Sequence, residues 1–337
     1  MRIALIVPYF GKFPENFQMV LNSCKYNDDL VDWLFYTNDR TNYNFPSNCK
    51  VFYCEFEEIK QRIEKLFEFS IALNKPYKLC DYRPAYGQIF ESELQEYDFW
   101  GHCDIDCIFG KLSDFLNEEI LKYERVFRLG HMCLYRNNKD VNKRYMLPIN
   151  NIYRYKEVFQ NEENCIFDEY NSNNDICIDT IWNEYNFSHI YFDDIIANIY
   201  YKTNKFILLY QKDKHEYARE YQKNSLFFWE KGRLYLLYLK NNKLQKKEFI
   251  YIHFMKRNMQ MIGNFDTEFL KIVPNKLIAV NSIPRTVEDF KRERKCYFSF
   301  QFFSSRLNNI KIKVKKCINR KEKKNEKNSV KHNNSSI

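Results

Sequence analysis

The feature that most restricts the fold of this chain is an unbroken apolar stretch near its start, RIALIVPYFG at residues 2–11. A strand that is apolar on both faces is typical of a parallel sheet covered by helices on both sides. Residues 16–27 follow with apolar positions at helical spacing, and VDWLFYTND at residues 31–39 has the pattern of a second strand. This order predicts a β-α-β unit whose ligands bind beyond the carboxyl ends of the strands.

Helix and strand patterns continue to alternate along the chain. An amphipathic stripe predicts a helix over residues 57–73, and a strand is predicted at residues 97–106. One long strand or a pair of strands is expected over residues 123–138. Residues 232–257 predict a hairpin that turns at two asparagines, 241 and 242, with a second strand that ends at His253.

We therefore expect an α/β fold with a mostly parallel, Rossmann-like sheet that is flanked by helices. Residues 1–290 are predicted to form this domain, residues 291–319 an amphipathic basic segment, and residues 320–337 a disordered lysine-rich tail.

The positive charge of the chain is concentrated at one end. The net charge is +9, but residues 311–337 carry ten Lys or Arg and two Glu, so the first 310 residues have a net charge of only +1. A protein that follows a nucleic-acid backbone spreads basic residues over its folded surface, so nucleic acid is an unlikely partner. Apolar residues recur at helical spacing over residues 306–318, which predicts either a helix lying on an anionic membrane or a disordered solubilising tail.

The cysteines and the hydropathy pattern indicate the cellular compartment in which the protein is expected. The eleven cysteines are an odd number with no Cys-x-x-Cys pair, which favours reduced thiols over a disulfide framework. No apolar run approaches the roughly 18 residues of a membrane-spanning helix, and no small-residue cleavage site follows the first apolar run. We expect a cytoplasmic protein, either free or peripheral on the inner face of the plasma membrane.

Two acids follow the strand pattern at residues 97–106. In a strand, Asp104 and Asp106 would point to the same face, and two carboxylates at one place favour a divalent cation. The alternative is a loop that carries two acids without function, since roughly one such pair is expected by chance. His253 ends a later strand pattern, and it is either a third ligand or a structural histidine.

The order of these features resembles that of GT-A type glycosyltransferases, and in particular bacterial enzymes found among the capsule and surface-polysaccharide transferases. The resemblance covers about residues 1–260. It rests on seven segments in the expected order: PYFG, FYTND, KPYKLCDYRPAYG, CDID, GHMCLYRN, FDEY and IHFMKR. It implies a glycosyltransferase of the hexosyltransferase type that moves a sugar from a nucleotide-diphosphate sugar, with a UDP-sugar favoured, to a glycan or lipid-linked acceptor in cell-surface polysaccharide synthesis.

The resemblance also implies roles for individual residues. Asp104, Asp106 and His253 would bind Mn²⁺ or Mg²⁺ at the donor diphosphate, and Asp104 could instead reach the ribose. An imidazole ligand favours Mn²⁺. Lys256 and Arg257 would hold the diphosphate.

Further residues are implied at the donor and acceptor. Lys78, Asp81 and Arg83 would contact the nucleotide and donor sugar, unless they form a solvated loop with a local salt bridge. Asp168 and Glu169 are the candidates for a general base. The other candidates for the base are Asp175, Asp179, Asp193 and Asp194. The residues expected to line the base and ribose pocket are Pro8, Tyr9, Phe10, Thr37 and Asp39.

Two other functions compete with this interpretation. A phosphohydrolase of the haloacid dehalogenase type also carries Asp-x-Asp at a strand end, with one acid as nucleophile. That motif normally lies on the first strand and continues with a small hydroxyl residue, whereas here it starts at residue 104 and continues as CIFG. The other alternative is a membrane-binding or nucleic-acid-binding module driven by the basic tail.

Overall fold

The structure of the protein, a computed structural model, describes residues 1–170, 175–191, 194–199, 206–213, 216–222, 224–255, 257–294 and 307. The described strands are β1 (Ile3–Pro8), β2 (Val31–Thr37), β3 (Cys49–Tyr53), β4 (Phe99–Cys103), β5 (Cys107–Phe109), β6 (Arg125–Leu129), β7 (Met132–Arg136), β8 (His189–Ile190), β9 (Ile196–Ile199), β10 (Phe206–Asp213), β11 (Glu216–Gln222), β12 (Ser225–Glu230), β13 (Arg233–Lys240), β14 (Lys243–Phe249), β15 (Tyr251–His253), β16 (Gln260–Ile262), β17 (Phe269–Val273) and β18 (Lys276–Ala279). The described α-helices are α1 (Phe17–Cys24), α2 (Phe56–Glu64), α3 (Tyr86–Ile89), α4 (Arg154–Phe159), α5 (Ile178–Glu184) and α6 (Val287–Arg294). Short 3-10 helices lie at Lys25–Asn27, Pro76–Ala85, Glu91–Glu93, Leu112–Asp114, Ile120–Lys122 and Val141–Met146.

The central sheet has the strand order β3-β2-β1-β4-β7-β6-β8. Strands β3, β2, β1 and β4 are parallel, and α1 connects β1 to β2. This confirms the β-α-β unit expected from the first apolar run. The residues of β6 and β7 form an antiparallel pair, so the pattern over residues 123–138 is two strands.

Two further sheets complete the fold. One has the order β11-β10-β9-β15-β5, and the other has the order β14-β13-β12-β17-β18-β16. The α/β class is thus confirmed, but a Rossmann-like, mostly parallel sheet is not confirmed, because the sheets are mixed. Among the described strands, parallel pairing runs across β3, β2, β1 and β4 and recurs in single pairs, whereas short turns join many later strands to their neighbours in antiparallel order.

The central sheet separates two apolar cores. The side chains of β1 alternate between them, with Ile3 and Leu5 in one core and Ala4 and Ile6 in the other. A third, smaller core lies beside the six-stranded sheet and includes Phe290 of α6. No helix in the described part of the chain is both long and apolar enough to span a bilayer.

The hairpin predicted to end at His253 is divided between two sheets. Strand β14 pairs with β13 as far as Phe249, and β15 then pairs with β5 and β9. The reason is the length of the partner strand, since β13 begins at Arg233 and offers no partner beyond the pair Leu234 and Phe249. The change of sheet places His253 opposite Cys107, at the start of β5.

Other sequence-based boundaries also differ. Helix α2 ends at Glu64 instead of continuing to residue 73, because Phe67 and Phe69 leave the helix and pack against Tyr155. Strand β3 was not predicted. The expected segments 291–319 and 320–337 lie almost entirely outside the described residues, and the predicted domain boundaries stay predictions.

The turn that precedes β14 gives a test of the hairpin register. Asn241 and Asn242 have φ values of 51° and 55°, and Lys240 pairs with Lys243 across them, which is the geometry of a type I′ turn. We expect Asn242→Gly to keep the free energy of unfolding within about 0.5 kcal/mol of the wild type. Asn242→Val should lower it by about 1–2 kcal/mol, because a β-branched residue resists a positive φ. Urea denaturation measures both, and equal stability of the two variants would contradict this turn.

Candidate metal centre and active-site cleft

The two acids of the Asp-x-Asp motif lie in the loop between β4 and β5. The sequence argument put both on a strand, but β4 ends at Cys103 and β5 begins at Cys107. The loop is held at both ends, since the N–H of Asp104 donates to the carbonyl of His131 (3.2 Å) and the N–H of Phe254 donates to the carbonyl of Asp106 (2.8 Å). The common direction of the acids therefore comes from loop geometry and not from strand alternation.

The structure brings together the three residues predicted as metal ligands. One ligand atom each from Asp104, Asp106 and His253 lie within 4.8 Å of one another. Nε2 of His253 is 3.5 Å from Oδ2 of Asp104 and 3.2 Å from Oδ1 of Asp106. Nδ1 of His253 donates to the side-chain oxygen of Asn198 at 2.9 Å, so Nε2 is the ring nitrogen that faces the two acids. Two carboxylates and one imidazole in this arrangement fit a divalent cation.

The electrostatics of the triad favour a positive charge at the same place. Burial alone lowers the pKa of His253, because it disfavours the charged ring. Asp106, through its charge and a hydrogen bond, and Asp104, through its charge, outweigh burial and raise the pKa above the usual value. A proton on His253 therefore partly offsets the negative charge of Asp104 and Asp106, which a bound cation would neutralise.

Arg83 connects the triad to a second pair of acids. It lies in the 3-10 helix Pro76–Ala85, and its guanidinium donates to Asp104, to Oδ2 of Asp168 (2.8 Å) and to the carbonyl of Gly130 (2.6 Å). Arg83 thus lies between the predicted metal ligands and the predicted general base. Whether it contacts a donor sugar stays a prediction.

Asp168 and Glu169 pack against the turn between β6 and β7. The N–H of Gly130 donates to Oε2 of Glu169 at 2.8 Å, and a Cβ on Gly130 would lie only 3.0 Å from that oxygen. Burial raises the pKa of Asp168 to about 7, with Arg83 opposing the shift and Glu169 adding to it. Burial also raises the pKa of Glu169, against the N–H of Gly130. A carboxyl group with a pKa near neutrality suits general-base chemistry.

Lys78 and Asp81 differ from their expected role. Their side chains are fully buried and form an ion pair at 2.8 Å. The ammonium group of Lys78 also donates to the carbonyls of Val158 (3.0 Å) and Glu163 (2.6 Å). Lys78 does not line the cleft and cannot reach a nucleotide in this structure, whereas Asp81 lies in the cleft wall. The pair anchors the segment that leads to Asp168.

A large cleft opens above these groups, with a volume of about 1730 Å³. This exceeds the roughly 300–1,000 Å³ of a typical small-molecule pocket. The cleft contains both acid pairs. Of the residues predicted to bind the nucleotide, those that line it are Pro8, Tyr9, Phe10, Asp81, Arg83, Asp104 and Arg257. Lys256 lies outside the described residues.

Thr37 and Asp39 do not line the cleft. The hydroxyl of Thr37 accepts from the N–H of Asp39 at 3.1 Å, and the carboxylate of Asp39 accepts from the N–H of Phe13 (2.8 Å) and of Thr41 (2.9 Å). These two residues therefore brace the loop that follows β1 instead of facing a ribose. The prediction found the correct strand end but the wrong orientation of the side chains.

The family assignment rests on a match over residues 5–281, to a protein family described as a family of unknown function (DUF6625). The chain belongs to this family. No curated protein matches it. The matched range contains every residue named above as lining the cleft of this DUF6625 protein, and it ends before the basic tail.

Two residues that orient the triad were not predicted. The ring of His131 stacks on that of His253, with centroids 4.4 Å apart, and its Nδ1 lies 2.7 Å from the hydroxyl of Tyr251. Asn198 is the buried partner of His253. The sequence contained a signal for Asn198, since it is the polar residue in the apolar run IIANI at residues 195–199. For His131 the signal was its place at a hairpin turn.

Asp175, Asp179 and Asp194 are the other candidates for the general base that the structure describes, and none of them lines the cleft. Asp179 is buried 2.9 Å from Arg125, and Asp194 lies 3.7 Å from Lys247. Asp175 is exposed, and Asp193 lies outside the described residues. Among the described candidates, Asp168 and Glu169 are thus the two predicted bases that border the cleft.

The triad predicts metal binding that depends on its ligands and on Asn198. We expect Asp106→Asn and His253→Gln to weaken Mn²⁺ binding by more than about 100-fold, and Asn198→Leu to weaken it by about 10–100-fold because His253 loses its orienting partner. Calorimetric titration with Mn²⁺ measures these affinities. His189→Gln is the matched control, because His189 lies in β8 and does not line the cleft. Unchanged affinity in both ligand variants would rule out this triad as the metal site.

The buried ion pair predicts a large effect on stability. Lys78→Met leaves the carboxylate of Asp81 buried without its counter-charge, and we expect it to lower the free energy of unfolding by about 3–5 kcal/mol. The control is Lys122→Met, which removes an exposed lysine 2.5 Å from Glu119 and should cost less than about 1 kcal/mol. Guanidinium denaturation compares the two, and similar losses would contradict the anchoring role of Lys78.

Proposed function

We propose that this DUF6625 protein is a metal-dependent glycosyltransferase of the GT-A type. It would transfer a sugar from a nucleotide-diphosphate sugar, a UDP-sugar in our proposal, to a glycan or lipid-linked acceptor in the synthesis of cell-surface polysaccharide. The observation that carries the proposal is the triad of Asp104, Asp106 and His253, which lies in a cleft beyond the carboxyl end of the parallel strand β4.

The donor set of the triad supports this chemistry. When the sugar leaves, negative charge grows on the diphosphate, and a divalent cation held by the carboxylates would neutralise that charge. Carboxylates alone suit Mg²⁺, but an imidazole ligand shifts the preference towards Mn²⁺. Mn²⁺ is therefore the metal we propose for His253 and the two acids.

The wall formed by the loop after β1 supports binding of the nucleoside and phosphates. The ring of Tyr9 stacks on that of Phe13 with centroids 4.9 Å apart, so an aromatic surface is held in place at the cleft. Lys12 and Arg257 also line the cleft, and they supply the positive charge and donors that phosphate oxygens require.

The second acid pair supports an acceptor site on the other side of Arg83. In an inverting transfer a general base takes the proton of the attacking hydroxyl. Glu169 is less buried than Asp168, which is held by Arg83. We propose Glu169 as the base, with Asp168 holding Arg83 in position beside Asp104.

The basic end of the chain supports a peripheral membrane location. The last turn of α6 carries Lys291, Arg292 and Arg294, and the ten Lys or Arg of residues 311–337 follow. We propose that these groups hold the enzyme against anionic lipids on the inner face of the plasma membrane, where a lipid-linked acceptor is available.

Nucleotide binding is the direct test. We expect UDP to bind in the presence of Mn²⁺ and to bind much more weakly without it, because the cation joins the acids to the diphosphate. GDP and CMP serve as comparisons in the same calorimetric titrations. GDP differs from UDP in its base, and CMP differs from UDP in both its base and its number of phosphates. Asp106→Asn should abolish the dependence on Mn²⁺ by removing a ligand.

Two further variants separate binding from transfer. Glu169→Gln and Asp168→Asn should still bind UDP with Mn²⁺, because neither residue belongs to the triad. Both variants should lose the release of UDP from UDP-sugars, because one removes the proposed base and the other removes the residue that holds Arg83. If no nucleotide binds the wild type, with or without Mn²⁺, the proposal is wrong. Hydrolysis of p-nitrophenyl phosphate that is lost in Asp104→Asn would then favour the phosphohydrolase.

A further inference from the structure

The turn that precedes Asp168 and Glu169 contains an unusual backbone conformation. Ile166 has a φ of 55°, and its side chain is 43 % exposed and lines the cleft. A β-branched residue rarely adopts a positive φ, because its Cβ substituents crowd the backbone. Strained conformations of this kind concentrate at functional sites, where the surrounding structure enforces them.

The buried Lys78–Asp81 pair enforces this conformation. The two oxygens of Asp81 accept from the N–H groups on either side of Ile166, from Cys165 at 2.9 Å and from Phe167 at 3.0 Å. Phe167 is fully buried in the second core. With both neighbours fixed in this way, the side chain of Ile166 is directed to the cleft and not to the core.

A second apolar side chain lies on the same wall. Tyr77 is 54 % exposed and lines the cleft, and its carbonyl accepts from the side-chain amide of Asn164 at 3.4 Å. This bond links the segment of Tyr77 to the turn that carries Ile166. The wall therefore presents an aromatic ring and an aliphatic side chain in a cleft that also contains the carboxylates of Asp168 and Glu169.

We propose that Tyr77 and Ile166 form an acceptor subsite that takes a sugar ring. The C–H face of the ring would pack on the two apolar side chains, and its hydroxyls would reach Asp168 and Glu169. This chemistry fits a sugar better than a lipid chain, because a site for a lipid chain would not border two acids that need polar partners. The inference rests on the proposed transferase function and assigns the acceptor side of its cleft.

The conformation of Ile166 makes a sharp test available. Glycine adopts a φ of 55° without strain, so we expect Ile166→Gly to have the same melting temperature as the wild type or a higher one. The same change removes the side chain that contacts the sugar. We expect Ile166→Gly and Tyr77→Ala each to weaken the binding of methyl glycosides about tenfold or more, from the loss of buried apolar area.

The probes are methyl β-glucoside, methyl β-galactoside and methyl N-acetyl-β-glucosaminide, titrated by saturation-transfer NMR in the presence of UDP and Mn²⁺. Leu66→Ala and Tyr53→Ala are the matched controls, because these side chains are 43 % and 45 % exposed and do not line the cleft. Both controls should bind the glycosides as the wild type does.

The outcomes separate this inference from the function on which it rests. Loss of glycoside binding in Ile166→Gly, with UDP binding and stability retained, supports the subsite. Glycoside binding that is absent in the wild type or unchanged in both variants overturns it, as does binding of farnesyl phosphate in place of the glycosides. Absence of UDP binding in the wild type would instead overturn the transferase proposal.

Discussion

Repulsion among four carboxylates is the constraint around which this molecule is organised. Asp104 and Asp106 lie on one side of Arg83, and Asp168 and Glu169 lie on the other. Burial raises the pKa of Asp168, and the charge of Glu169 adds to that shift, whereas the charges of Asp106 and Asp104 raise the pKa of His253 against the effect of burial. Arg83 and the N–H of Gly130 supply part of the compensation, and a cation in the triad would supply more.

The fold creates this arrangement by bringing distant segments to one edge of the central sheet. The Asp-x-Asp loop comes from the end of β4, Gly130 and His131 from the turn of the next hairpin, and His253 from β15. Strand β15 reaches the cleft because β13 ends its pairing with β14 at Leu234 and Phe249, so β15 pairs with other strands. The five-stranded sheet is therefore part of the site, because it carries the third ligand, His253.

The buried Lys78–Asp81 pair shows how structural and functional parts of the chain depend on each other. Neither partner would be stable alone in the core. Together they fix the backbone on both sides of Ile166 and set the path to Asp168 and Glu169. Lys78 and Asp81 were expected to contact the nucleotide. In the structure they instead shape the cleft wall on which we propose that an acceptor binds. The match to the DUF6625 family includes all of these elements.

Local pattern determined much of this protein. The apolar run of β1, the amphipathic face of α1 and the Asn-Asn turn are each specified within a few residues, since they depend on periodicity and on backbone preference. The acid pair Asp104 and Asp106 could be predicted as a candidate metal site from the strand pattern, and the resemblance to GT-A glycosyltransferases added His253 as a third ligand. Only the tertiary structure decided that Lys78 is buried, that Asp39 braces a loop, and that Asn198 orients His253. These outcomes depend on partners that are distant in the chain, such as the carbonyl of Glu163, 85 residues away, which accepts from the ammonium group of Lys78. The direction of a side chain at a strand end is set by such distant contacts, and no local pattern contains them.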